Sequence, residues 1–369
     1  MKLSPVLLLF SSSELGGAER SLSRMALAAP PGRYKLATLD GEGLWCDWVR
    51  DLGHHPIIFG KRKGQKHGRL KFGALVSFIN FVRREDIEIV YICGLRASLY
   101  LRLLKPLMPN VKLVHGIRTN PDSNSRLDKF FRFFERLLNS HIDLYITNSK
   151  IAAKTLVERC KISPDKIRVI YNGLVNSQTK LTPIIRRPLN VLTVANLVST
   201  KGHLEYLDVI QQVHKEIPEA RFIFVGRDDM NGIVQKAVLA AGMDGYVSCE
   251  GFQTDVSVYF ANARICVVPS QKQEGCPTTV LEAMSYGVPV VAYNIDGLPE
   301  LVRHGKDGLL VSTTDTKQLT NSIIKLLRET QIANKMSASS LKRFESEFQI
   351  NTCVIKHQNA MKLLKKIDK

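Results

Sequence analysis

Glu274 and Glu282 stand eight positions apart on either side of a Cys276-Pro277-Thr278-Thr279 segment, a spacing that brackets the start of a helix with two carboxylates. Pro277 suits the first helical turn, where its missing N–H costs nothing. The next residues contain good helix formers, Gly287 can close the helix in a left-handed conformation, and 288–292 reads as a short buried strand. The first turn of such a helix presents unpaired N–H groups and a partial positive charge, which together make an anion site. A phosphate resting there has a carboxylate on each side. Carboxylates repel phosphate, so these two are suited to accepting hydrogen bonds from hydroxyls. A ligand with a central diphosphate and hydroxyl-rich sugars at its ends fits, and nucleotide sugars are such ligands. Acidic residues also gather at helix starts for charge reasons alone, so the spacing by itself leaves a solvated helix face equally open.

The run E-G-C-P-T-T-V-L-E-A-M-S-Y-G-V-P-V-V resembles the E-x7-E signature of glycosyltransferase family 4, the retaining GT-B transferases. The D-G-L-P-E-L-V segment from Asp296 and the G-K-D-G-L-L-V segment from Gly305 are similar to the segments that come next in that family. The resemblance implies that Glu282 accepts ribose hydroxyls and Glu274 hydroxyls of the transferred sugar. It places Gly275, Cys276, Pro277, Thr278 and Thr279 at the donor phosphates. Residues 189–202 resemble the family's V-G-R-L-x-x-x-K-G segment, whose arginine and lysine hold the diphosphate. Lys201 matches the lysine. Asn196 stands at the arginine position, which removes a positive charge and its two-pronged fork while leaving a neutral donor. Arg118 and Arg227 are candidates for the missing charge. Gly16-Gly17 follows an apolar strand, as does the family's cleft-facing glycine pair; it is not a G-x-G-x-x-G fingerprint. His115 lies in a V-H-G segment at a strand end, a position that is structural in most sheets and that the resemblance turns toward the donor sugar. Arg227 and Phe252 fall in the region where the family reads the nucleobase.

Positioning these residues requires parallel sheets. Residues 6–10, 34–39, 56–59, 87–92, 111–115 and 144–147 read as strands separated by helical patterns, and 221–225, 246–250 and 265–268 continue the pattern in the second half. The expected architecture is α/β with the GT-B fold: two Rossmann-like domains facing an interdomain cleft. Residues 1–175 form an acceptor-binding domain, 176–188 a linker and 189–345 the nucleotide-sugar domain, with a helix over 346–369 returning to the first domain. Asn172-Gly173 resembles the family's hinge segment, where positive φ is tolerated.

At 369 residues and 44% apolar content the chain suits two soluble globular domains. The seven cysteines form no C-x-x-C pair, as expected of reduced thiols without a zinc site. The short apolar run at the N-terminus, interrupted by Pro5 and followed by no small-residue cleavage site, reads as a first buried strand and not as a signal peptide. The net charge of +18 is lopsided, with 30 Lys+Arg against 15 Asp+Glu in residues 1–180. That excess implies an anionic partner for the first half. Lys61, Arg62, Lys63 and Lys66 lie in a basic run, and Arg132 and Arg136 interleave with phenylalanines at helical spacing. Basic residues beside aromatics suit an anionic membrane surface, and no zinc-finger, RNP or KH pattern supports nucleic acid. No stretch approaches the ~18 apolar residues of a membrane span.

The expected function is transfer of a sugar from a nucleotide-sugar donor, a UDP-sugar first, to a glycan or lipid-linked acceptor in surface polysaccharide or lipopolysaccharide synthesis. Glu274, His115 and Lys201 would carry the chemistry, with no metal and no cofactor, at the inner leaflet of the cytoplasmic membrane. A non-catalytic sugar-nucleotide-binding protein and a GT-B epimerase of sugar nucleotides are the alternatives.

Overall fold

The computed structural model describes residues 4–60, 72–122, 125–176, 181–272 and 274–366. The chain divides into two compact units. Met1–Gly173 with Ile350–Lys369 makes the first, and Leu174–Gln349 the second.

Among the described residues the first unit is built on a seven-stranded parallel sheet ordered β3-β2-β1-β4-β5-β6-β7. Its strands are β1 Val6–Phe10, β2 Tyr34–Thr38, β3 Ile57–Ile58, β4 Ile89–Cys93, β5 Lys112–Ile117, β6 Leu144–Thr147 and β7 Ile167–Val169. The N-terminal apolar run is thus an interior strand, flanked by β2 and β4. All five residues of β1 are buried, since helices cover both faces and no alternation is needed. On one face Met25, Trp45, Cys353, Met361 and Leu364 share a core with β1. On the other, Phe78, Val82, Leu101 and Leu156 do so. Each fully buried aliphatic chain of this kind contributes roughly 1.5–3 kcal/mol. Trp45, fully enclosed, satisfies its indole N–H on Ser23 Oγ at 3.0 Å.

The second unit carries a six-stranded parallel sheet ordered β10-β9-β8-β11-β12-β13. Its strands are β8 Asn190–Val194, β9 Arg221–Val225, β10 Val247–Cys249, β11 Ala263–Val268, β12 Val290–Tyr293 and β13 Gly308–Val311.

The structure moves the boundaries read from sequence. The expected linker over 176–188 lies largely inside the second unit, and its residues 177–180 fall outside the described ones. Leu174 N–H donates to the Phe348 carbonyl at 3.0 Å, and Ile184 is buried. The buried Arg187 guanidinium donates to the carbonyls of Thr182, Phe260, Ala263 and Tyr286, which fixes the end of this segment to the second sheet's surroundings. At the other boundary Phe344 and Phe348 are buried with the second unit, and the returning helix begins at Ile350. Asn172 and Gly173 do not adopt positive φ. Asn172 serves instead as an acceptor for Ser21 Oγ at 2.7 Å and for Arg118.

Candidate donor site

Open parallel sheets place ligands beyond the carboxyl ends of their strands, where the strand order reverses. In the second sheet the reversal falls between β8 and β11. The segments that leave these two strands, 195–202 and 269–277, carry Asn196, Lys201, Glu274 and the start of the Thr278–Ser285 helix.

Backbone contacts draw the two segments together. Gln271 N–H donates to the Thr200 carbonyl at 3.0 Å. Gly202 takes φ +72°, and a Cβ there would stand 2.2 Å from the Pro269 carbonyl oxygen, so no other residue fits. The approach brings Lys201 Nζ to 2.5 Å from Glu274 Oε1, a charge-assisted contact with the carboxylate almost fully buried and the ammonium partly exposed. Glu274 is also fixed by its backbone. Its N–H donates to Asp296 Oδ2 at 3.2 Å, and its carbonyl accepts from Gly297 N–H at 2.9 Å. A Cβ on Gly297 would lie 1.7 Å from the Gly275 carbonyl oxygen, so the loops after β11 and β12 pack backbone to backbone.

Pro277 is the N-cap of the helix, one position earlier than the sequence suggested, and as a proline it offers no side-chain acceptor to the first-turn amides. Val280 N–H donates to the Pro277 carbonyl at 3.2 Å, and the helix start, with no side-chain cap, keeps its anion-binding character. Thr279 Oγ1 donates to the Val194 carbonyl at 2.7 Å, so this hydroxyl ties the helix to the end of β8. Cys276 is buried, and Thr278 and Glu282 are half-buried. Burial, reinforced by the charge of Glu282, pushes the Cys266 thiol of β11 up.

Asn196 Oδ1 accepts from the Arg227 N–H at 3.3 Å. The Arg227 guanidinium sits on Asp229 at 2.6 and 3.0 Å. This cation beside the substituted position is therefore already matched by a carboxylate. Phe252 is exposed.

In the first unit the reversal lies between β1 and β4. Gly16 caps the Gly17–Ala28 helix there, and a Cβ on Gly17 would meet open space. His115 is placed differently from the expectation of a sugar-facing ring. It is buried on β5 within a polar network, its Nδ1 lying 3.1 Å from Glu135 Oε1, 3.2 Å from Arg102 and 3.3 Å from Ser98 Oγ. Arg102 grips both oxygens of Glu135 at 2.6–2.7 Å, and Tyr145 donates to the same carboxylate at 2.7 Å. Burial lowers the His115 pKa against the opposing pull of the Glu135 carboxylate. Burial would raise Glu135, but the imidazole and the guanidinium outweigh it and hold the carboxyl below its usual range. Truncating one member of such a buried pair typically costs about 3–5 kcal/mol.

Arg132 and Arg136 lie on the Arg126–Leu138 helix, where Arg132 donates to the Pro121 carbonyl at 2.6 Å. Lys61, Arg62, Lys63 and Lys66 lie outside the described residues. Asp296 and Glu135 were not singled out by type or spacing. Asp296-Gly297 is a turn pair after a strand, a usable signal. Glu135 had none, because its partners lie on other elements.

Two family models match the chain, glycosyltransferase family 4 over residues 15–177 and glycosyl transferases group 1 over residues 188–329. The amylovoran biosynthesis glycosyltransferase AmsK of Erwinia amylovora is 26% identical over 204 residues, covering 53% of this chain and 48% of AmsK. An Escherichia coli UDP-Gal:alpha-D-GlcNAc-diphosphoundecaprenol alpha-1,3-galactosyltransferase is 23% identical over 298 residues, 75% of this chain and 76% of that one. Among solved structures, Anabaena HepE in complex with UDP and glucose superposes with a TM-score of 0.82 at 21% identity, covering 98% of this chain and 99% of HepE. The chain spans about half the length of the first curated relatives it matches, 42%, 48% and 56%. With both halves matched by models of one group and two parallel sheets of the GT-B kind, the chain belongs to the family-4 glycosyltransferases.

Proposed function

We propose that the protein transfers a hexosyl group from a nucleoside-diphosphate sugar, a UDP-sugar first, onto a lipid-linked glycan during polysaccharide assembly. The observation that carries this reading is the convergence of Lys201, Glu274 and a proline-capped helix start at the strand-order reversal of the second sheet. Lys201 and the first-turn amides suit the diphosphate, Glu282 the ribose hydroxyls, and Glu274 the hydroxyls of the moving sugar. The donor class is supported by UDP in HepE and UDP-Gal in the name of the E. coli relative. The lipid-linked acceptor is supported by the diphosphoundecaprenol acceptor in that same name.

Transfer proceeds with retention. The acceptor oxygen bonds to the anomeric carbon on the face from which the leaving phosphate departs, as the anomeric C–O bond to the β-phosphate breaks. The acceptor proton passes to a departing phosphate oxygen. Rate enhancement then rests on positioning and on stabilising charge at that phosphate.

Asn196 favours a second reading, binding of the donor without turnover, because it removes a phosphate cation while Arg227 is engaged with Asp229. A thermal-shift panel of UDP-, GDP-, ADP- and TDP-sugars, with Glu282→Ala alongside, tests donor binding. Donor at about a hundred times its Kd stabilises by roughly 2.7 kcal/mol. One nucleotide series standing out in the wild type and fading in the variant is expected. A flat panel contradicts a donor site in this unit, and binding without product formation favours the second reading.

A further inference from the structure

The Arg126–Leu138 helix of the first unit buries only Phe131 and Glu135. Its apolar residues do not stop at that seam. Leu127, Phe130, Phe133 and Leu137, spaced three, three and four apart, are 65%, 44%, 60% and 62% exposed and form one stripe along about 15 Å of helix. Aromatic contacts hold part of the stripe in place, with Phe134 4.4 Å from Phe130 and 5.3 Å from Phe133 between ring centroids. Beside it runs a groove of about 590 Å³ lined by Lys129, Arg132, Phe133, Arg136, Leu137 and Arg159. Four of the six lining side chains are cations and the other two are apolar. The nearby carboxylate of Asp122 engages Arg159 at 3.3 Å.

We propose that this face docks on an anionic bilayer leaflet. The stripe enters the boundary between headgroups and acyl chains, and Lys129, Arg132, Arg136 and Arg159 meet lipid phosphates. The proposal rests on the lipid-linked acceptor reading above and names the surface that would bring the protein to such an acceptor. Charge complementarity selects the occupant. Exposed leucines and phenylalanines rimmed by lysine and arginine are the pattern of a helix lying in a membrane interface. A second copy related by a twofold axis would set the same cations against themselves. A single-stranded nucleic acid would use the phenylalanines as stacking platforms but has no use for Leu127 and Leu137.

The test is co-sedimentation of the full chain with phosphatidylglycerol-containing vesicles and with pure phosphatidylcholine vesicles. Three paired variants accompany the wild type: Phe133→Ser with Leu137→Ser, Lys129→Glu with Arg136→Glu, and Lys236→Glu with Lys317→Glu as a charge-matched change on the second unit. Far-UV circular dichroism and the donor-induced thermal shift are read on each. The wild type is expected to bind anionic vesicles and not neutral ones. Each helix pair is expected to weaken that binding by about tenfold or more while keeping its fold and donor shift, and the control pair to stay close to wild type. Three results overturn the proposal: no binding of wild type to anionic vesicles, equal weakening by the control pair, or unchanged binding by both helix pairs. If a donor shift persists in any of these cases, the docking surface fails while the transferase reading stands. If the wild type binds vesicles through this helix but no nucleotide sugar shifts it, the reverse holds.

Discussion

Lys201 contacts Glu274 at 2.5 Å, and in the proposed donor site the same ammonium is the cation a diphosphate needs. On that proposal, a donor that drew Lys201 toward its phosphates would release Glu274 to accept sugar hydroxyls, and one side chain would couple phosphate arrival to sugar recognition. The next residue but one, His203, adds a pH dependence. It is buried at the start of the His203–Glu216 helix, and burial, then the Lys201 charge, pulls its pKa down to about 4. His357 in the first unit is also lowered to about 4, again chiefly by burial. Unfolded histidines protonate near 6.5. Between about 6.5 and 4 the unfolded chain therefore binds more protons, and stability is lost as pH falls through that window, by up to about 1.4 kcal/mol per pH unit for each histidine. Melting temperatures from pH 7 to pH 4 are expected to fall, and His203→Asn and His357→Gln each to reduce the slope. Variants that titrate like the wild type would contradict this assignment.

The helices differ in how they are held. Ile350–Lys366 packs through Cys353, Val354, Ala360, Met361 and Leu364 into the core that contains β1. Met361→Ala is expected to cost about 2–5 kcal/mol. Native-state hydrogen exchange should show protection of β1 amides falling while that of β8 is kept, and equal loss in both strands would contradict the assignment of this helix to the first unit. The Arg126–Leu138 helix, by contrast, is anchored by one aromatic ring and one buried carboxylate, with its apolar stripe outside. These elements were unequally legible in the sequence. The V-L-L-L-F run of β1 announces a strand buried on both faces, and the spacing from Glu274 to Glu282 announces a helix start, because both are local patterns. The burial of 184 and 187 within the second unit was not legible, since it depends on carbonyls nearly a hundred positions away. The enclosure of His115 likewise depends on Glu135, whose helix shows its inner face only once packed. A residue's type and spacing state what it can do; which neighbours it meets is decided by the tertiary fold.

At the scale of the molecule, the chain leaves the first unit after Gly173 and re-enters it at Ile350, so each unit closes its own core around its own parallel sheet. Charge divides along nearly the same line, with most of the net +18 in the first 180 residues and the donor-site residues in the near-neutral remainder. That separation supports the proposed division, in which the second unit would hold a small anionic donor and the first would meet an acceptor on an anionic surface. The central claim, that Lys201 stabilises the leaving diphosphate during transfer, is tested most directly by single-turnover kinetics. Nucleotide release from the donor identified by thermal shift would be measured with a diphosphoundecaprenol-linked acceptor, comparing the wild type with Lys201→Ala. Loss of a group that stabilises developing charge predicts a fall in rate of about 10²–10³ with folding intact. A variant that turns over at the wild-type rate would contradict the account.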